Sequence, residues 1–410
     1  MKNIALVALL LPAVALANGY DVPNVNPRDL ALGGSADAAQ NDAAATFAMP
    51  AALARLGEGL DLSLSGSALE IDTTWNDTTG GQLGPSPART LFHPAPPVSL
   101  FASYGFTLDG HPAGIGIGMN VAAGGNVFWP DDWAGAGRII TVDRKIYGFY
   151  LTGGYQLIPQ LRIGGGLVYY YGTEYLKQAI QPFPGAFGEL STSGGALAFD
   201  LSAEATPFDS IPLTVAADFK YQGAMTLTGN AHYSVPASVQ PSVQDQGVTH
   251  DLTYPSVLNV ALAYRIAPPV LLTFGFTYNW YDVYKSDVFA GSAGTTITVP
   301  RNYGDGHTFR AGLEWSATDQ LTVRVGGERD ISGLNPADYS PTLPDSDAYV
   351  AAGGLGWKFT PTFEVSATFF HAWLDSITSI GPTAFPGHYS TSVWIASAGV
   401  SWKLGDGAKQ

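Results

Sequence analysis

Chemistry needs nucleophiles, acid–base pairs or metal ligands at workable spacing, and this sequence is sparing with all three. Its seven histidines, His93, His111, His232, His250, His307, His371 and His388, form no H-x-x-x-H pair. None lies near paired carboxylates at ligand spacing, so no zinc site is read. The chain has no cysteine, which removes thiolate ligands and disulfides together. No G-x-S-x-G elbow joins a strand to a helix. The stretches at 109–112 (DGHP) and 304–307 (GDGH) read as turns, and Asp131, Asp132, Asp345 and Asp347 as solvated loop carboxylates. No catalysis, metal or cofactor is expected.

The charges that carry information are those placed on one face of a strand. Ala311, Leu313 and Trp315 alternate with Arg310 and Glu314; Leu321, Val323 and Val325 alternate with Thr322 and Arg324, and Glu328 continues the polar face. A Lys or Arg facing lipid at the bilayer midplane costs about 2–4 kcal/mol, so in a membrane barrel these side chains must face the lumen. Mixed signs there predict ion pairs, and the arginines could meet a carboxylate head group. Arg310, Arg324, Glu314 and Glu328 are the lumen candidates.

Fourteen such stretches follow one another, from 59–71, 98–108 and 113–123 to 347–359, 362–373 and 389–404. Most are close to the roughly 9–11 residues a tilted membrane strand requires. The connections between them alternate strictly between long and short, the pattern of extracellular loops and periplasmic turns. Aromatics near strand ends, including Trp280, Tyr281, Tyr284, Trp357, Phe359 and Trp402, suggest interfacial girdles. The expected fold is all-β and transmembrane: a fourteen-stranded antiparallel outer-membrane β-barrel.

Composition agrees. Charged residues are 13% of the chain, against roughly 25% in an ordinary soluble domain, while Gly (49), Tyr (20) and Phe (20) are abundant. A net charge of −15 argues against nucleic acid as a partner. Lys2, the apolar run that follows it and Ala15–Ala17 read as a signal peptide over 1–17.

Residues 18–57 break the strand pattern. They end in "ATFAMPAALARL", which reads as two short helical turns with Pro50 opening the second, because proline suits the first helical position and disrupts an interior one. Asp42 or Thr46 could cap a turn and Gly57 could stop one. A wide lumen has room for such a segment as a hatch. The expected organisation is signal peptide 1–17, hatch 18–57, barrel 58–404 and tail 405–410.

The stretch "DLALGGSADAAQNDAAATFAMPAALARL" resembles the hatch of the FadL/TodX-type outer-membrane transporters. "TYPSVLNVALAYRIAPPVLLTFGFTYNWYDVY" and the LPD-S-D turn at 343–347 also resemble that family. The resemblance covers most of the mature chain. It implies a barrel plugged by Phe47, Met49, Pro50 and Ala51 of the hatch, and passive uptake of hydrophobic molecules, with long-chain fatty acids foremost. The implied route is extracellular capture, an internal apolar pocket beside the N-terminus, and sideways exit at a kinked third strand, for which Gly114, Gly116, Gly118 and Gly124 are candidates. Phe128, Trp129 and Trp133 are candidates for exposed capture. The implied partners are a hydrophobic small molecule and outer-membrane lipid, with the chain a monomer. Met49 stands where the family carries Asn, and the chain does not end in an aromatic residue. Alternatives are a general porin, a structural or adhesin barrel, and an aromatic-hydrocarbon channel of the same family.

Overall fold

The computed structural model describes residues 26–379 and 384–405. The signal-peptide reading, the start of the hatch and the last five residues lie outside them. Fourteen strands close a barrel: β1 Gly59–Asn76, β2 Val98–Leu108, β3 His111–Phe128, β4 Thr141–Ile158, β5 Leu161–Ala179, β6 Phe187–Ala205 and β7 Leu213–Tyr221. The second half is β8 Val257–Ala267, β9 Val270–Asn279, β10 Gly306–Ser316, β11 Leu321–Ile331, β12 Ala348–Thr360, β13 Phe363–Leu374 and β14 Gly387–Leu404. Each pairs antiparallel with its neighbours, and β14 returns to β1 over Leu60↔Leu404 to Asn76↔His388, closing the sheet. Closure pairs the backbone within the chain, as hydrocarbon demands, except on one side of β3 beyond Asn120. No helix among the described residues is long and apolar enough to cross a membrane.

The outward face follows the period-two alternation. Leu100, Ile117, Leu151, Leu167, Leu197, Phe274, Val325, Leu355 and Phe369 are all exposed, an apolar belt of the kind that outer-membrane barrels present. Trp315, Trp357, Phe359 and Trp402 stand at the ends of their strands on the short-turn side. Tyr281 and Tyr284 do not join a girdle: both are fully buried inside, with Tyr303 at 5.6 and 5.4 Å.

Several strands run past the belt. On β4 and β5 the outward positions change from Phe149, Leu151 and Leu167 to Asp143, Lys145, Thr173 and Lys177. The single stretch expected over 250–266 is divided at Tyr254–Ser256, and the chain after β7 turns at Gly223, whose φ is +72°. The pieces beyond these breaks, Ala224–Ser234 and Gln246–Thr253, pair with each other and with Ser286–Gly291. Their outward residues, Thr226, Thr228, Asn230 and His232, are polar and exposed. This annex stands clear of the apolar belt on the long-loop side.

Inside the barrel lies the segment from Asn26 to Gly57. Asn26 Oδ1 caps α1 (Pro27–Ala31) by accepting from the Arg28 and Asp29 N–H groups. A 3-10 turn follows at Asp37–Ala39, then α2 (Ala45–Ala48), preceded by Asp42 Oδ1 accepting from Ala44 N–H. Pro50 opens a second 3-10 helix, Pro50–Arg55, which ends before Gly57 at φ +88°. Thr46 lies within α2 and caps nothing. These elements are too short to hold themselves together. Their order comes from the wall around them.

Candidate functional site

Glycine on the wall makes room for the hatch backbone. A Cβ on Gly164 would stand 2.2 Å from Ala51 N, one on Gly154 2.4 Å from the Pro50 carbonyl oxygen, and one on Gly326 2.1 Å from the Leu32 carbonyl carbon. Hydrogen bonds complete the fit: Ala51 N–H donates to Ser202 Oγ at 2.9 Å, and Thr152 Oγ1 donates to the Thr46 carbonyl at 3.0 Å. Met49 and Ala51 are fully buried and Pro50 is buried with them, whereas Phe47 turns toward open space.

Ion pairs pin both ends of this segment. Arg28 Nε donates to Glu314 Oε2 at 2.8 Å, and Arg324 joins the same carboxylate at 2.8 Å and Glu364 at 2.7 Å. Arg55 meets Glu204 at 2.8 Å, with Arg162 at 3.1 Å. Arg324 and Glu314 therefore face inward but belong to the hatch anchorage. Arg310 and Glu328 pair at 3.1 Å and line a cavity instead.

That cavity, of about 160 Å³, lies between the hatch and β3, β5 and β7–β11. Phe47, Ala122, Tyr170 and Tyr254 give it apolar surface. Phe47 stacks near Phe101 at 6.3 Å and meets Tyr150 edge-on at 5.3 Å. Asp37, Lys220, Gln222, Asn279 and Arg310 make the rest polar. The expected pocket beside the N-terminal segment is thus present, with a mixed lining in place of an apolar one. Of its residues, Asp37, Gln222, Tyr254 and Asn279 escape the sequence reading. The two strand breaks that bring Gln222 and Tyr254 inward are marked in the sequence by Gly223 and Pro255.

The third strand is irregular, though not where three of the four glycines stand. Gly114, Gly116 and Gly118 hold regular register with both neighbours. Their bareness serves packing: a Cβ would strike the Leu53 carbonyl, Thr46 Oγ1 and the Phe101 ring, respectively. The register slips between Val121 and Ala123, and Gly124 follows at φ +129°, a conformation that glycine tolerates. Beyond Asn120, β3 has no β2 partner. The chain that runs there instead, His93-Pro94-Ala95-Pro96-Pro97, bonds toward β1 through the Ala95 and Pro97 carbonyls. Three prolines have no N–H to offer β3. Among the described residues only Leu91 N–H to the Phe128 carbonyl and Asn126 Nδ2 to the His93 carbonyl cross this gap. Ala122, at the slip, also lines the cavity. Phe92 lies beside the gap, 73% exposed and stacked near Trp394 at 6.2 Å.

The capture candidates are not exposed. Trp129 and Trp133 stack at 4.2 Å and are buried with Trp75 and Phe385, and Phe128 is half-buried against His93. Each indole N–H has a carbonyl partner: Trp75 with Pro386, Trp129 with Pro341, Trp133 with Ile139. Aromatic loops reach solvent only until they find one another, and here four rings close over the top of the barrel.

Beneath them is a buried ionic cluster. Glu174 of β5 accepts from Arg144 of β4 at 3.0 Å and meets His250 Nδ1 of the annex at 2.8 Å. His250 Nε2 stands 3.3 Å from Asp287, which also accepts from Arg301 at 2.9 Å and from the Tyr284 hydroxyl. Burial disfavours a charged His250, but Glu174 and Asp287 outweigh it and push its pKa up to about 9.

No cluster of His, Asp or Glu suited to a metal occurs among the described residues. Known proteins sharpen the picture. Residues 8–403 match the family model described as outer membrane protein transport protein (OMPP1/FadL/TodX). A 47 kDa outer membrane protein of Pasteurella multocida (strain Pm70) is 23% identical over 173 residues, spanning 42% of this chain and 37% of that protein. Among solved structures, a Pseudomonas aeruginosa FadL homologue superposes with a TM-score of 0.81 at 17% identity, covering 94% of this chain and 100% of that one. The P. putida toluene transporter TodX gives 0.74 at 14% identity, covering 93% and 99%. At such identities the structures speak for the fold, and the family model speaks for kinship. The chain belongs to the OMPP1/FadL/TodX family of transport proteins of the bacterial outer membrane.

Proposed function

We propose that the barrel passively conducts small hydrophobic molecules from the cell exterior into the lumen cavity and out sideways through the gap beside β3. The observation that carries this reading is Ala122, which lines the cavity and sits at the register slip where β3 loses its partner. The hatch that fills the lumen argues against a general porin. No chemical energy is needed where a lipophile runs down its gradient.

Size favours molecules of about one aromatic ring. The cavity is about 160 Å³, and an apolar protein cavity of about 150 Å³ takes benzene. Relatives described as a toluene transporter and a monoaromatic hydrocarbon channel support the same class. A long-chain fatty acid, the first expectation from sequence, would place only one end here. The test is uptake of labelled toluene and labelled oleate by host cells lacking their own hydrophobic-compound channels. Expression should raise toluene uptake severalfold and oleate uptake less; unchanged uptake of both sinks the reading. Widening the gap side with Ala122→Gly should preserve uptake, and filling it with Ala122→Trp should abolish it.

A further inference from the structure

The lumen cavity carries more polarity than a hydrocarbon passage requires. Its lining holds four carboxylates, Asp29, Asp37, Glu328 and Asp330, against two cations, Lys220 and Arg310. Both cations are engaged. Lys220 is held by Asp200 at 3.0 Å and by Asp218, and Arg310 by Glu328 at 3.1 Å and by Thr277. Asp37, on the 3-10 turn of the hatch, has neither an ion pair nor a hydrogen bond from another described residue.

A second feature is independent of the charges. Gln222 and Asn279 line the same cavity, are 4% and 2% exposed, and bury amide oxygens that accept no hydrogen bond from another described residue. An unsatisfied buried polar group costs about 1–3 kcal/mol, so two of them beside an unpaired carboxylate point to a missing donor.

We infer, building on the channel reading above, that the cavity favours small lipophiles whose polar end donates a hydrogen bond, an alcohol or an amine, over carboxylates of the same size. The ring lies against Phe47, Tyr170 and Tyr254, and the donor reaches Asp37, Gln222 or Asn279. A carboxylate head would be a fifth carboxyl group in a lining whose two cations are already taken, so it would find no free cation to pair with.

Toluene, benzyl alcohol, benzylamine and benzoate share one ring and differ at the head, so they test this directly. Binding is measured by calorimetry on the full chain in nanodiscs, with empty nanodiscs subtracted. Benzyl alcohol and benzylamine should bind about tenfold tighter than toluene, and benzoate weaker than toluene. Asp37→Asn should lower benzylamine affinity about tenfold relative to toluene. Asn279→Leu, which removes an unpaired group and so keeps the fold, should lower the preference for benzyl alcohol over toluene. If alcohol and amine fail to outbind toluene, or benzoate outbinds them, the head-group preference is overturned. The channel reading falls only if expressing cells also take up no toluene.

Discussion

The hatch end and the annex end of this barrel use the same materials for opposite purposes. Both bury arginine–glutamate pairs. At the hatch end, Arg28–Glu314–Arg324–Glu364 and Arg55–Glu204–Arg162 join an internal segment to the wall, and every partner except the fully buried Glu204 keeps some access to space around it. At the annex end, Arg144, Glu174, His250, Asp287 and Arg301 are at most 2% exposed and join strands of the wall to one another. The first arrangement holds something that fills the passage; the second holds the passage open in shape. Buried ion pairs contribute little net stability compared with apolar packing, but removing one partner is costly, so each set fixes a geometry.

This contrast predicts a double dissociation, which is also the largest effect expected. Glu314→Ala takes the carboxylate from Arg28 and leaves Arg324 only Glu364, which should cost about 3–5 kcal/mol of hatch anchorage and raise steady conductance in planar bilayers. It should leave proteolysis of 224–253 unchanged. Glu174→Ala removes the carboxylate that Arg144 and His250 share, at a similar cost, exposing 224–253 to protease without raising conductance. If either variant produces both effects, the two regions are one unit.

Next in size is the glycine contact. Gly164→Val drives a side chain into the Ala51 backbone, and overpacking of this kind costs about 1–3 kcal/mol. Conductance should rise as with Glu314→Ala, and shortening the wall side chain cannot rescue it because the obstacle is backbone.

A pH effect should separate the ends further. The His250 pKa is raised in the folded protein to about 9 from 6.5. The stability this contributes is fully present below about pH 6.5 and is lost as pH rises through 9. Protection of the amides in 246–253, relative to their intrinsic base-catalysed exchange rates, should therefore fall between pH 7 and 10, and His250→Gln should flatten that dependence. The hatch, which has no histidine, should not share it. The smallest effect belongs to the outer surface of the annex end: Lys145→Ala breaks a pair with Asp143 at 2.7 Å whose members are 38% and 30% exposed. It should change stability by about 1 kcal/mol or less in urea unfolding.

What could be read from the sequence was what the bilayer enforces. Lipid penalises any outward charge, so all fourteen strands announced themselves by alternation, and Pro50 marked the division of the two hatch turns. Above the belt that penalty lapses. Asp143, Thr173 and Lys177 face outward without cost, so strand extensions there read as loops. Trp129 and Trp133 looked like exposed loop aromatics because their partners, Trp75 and Phe385, lie far away in the chain. Glu174 and His250 are 76 residues apart, and nothing local indicates that they meet. The gap beside β3 left a readable trace, three prolines in 93–97, whose meaning depends on knowing which strand runs alongside.

The hatch has a consequence beyond plugging. Its helices of four to six residues have no stability of their own, and its backbone lies on glycines that accept nothing bulkier. In binding terms it is a ligand leashed to its receptor by Leu56, Gly57 and Glu58, the three residues between Arg55 and β1. A leash that short keeps the local concentration of ligand in the millimolar range or above. Affinity can then be modest while occupancy stays high. A hatch displaced by a passing molecule would return faster than an untethered peptide could, and the barrel would reseal without any separate closing device.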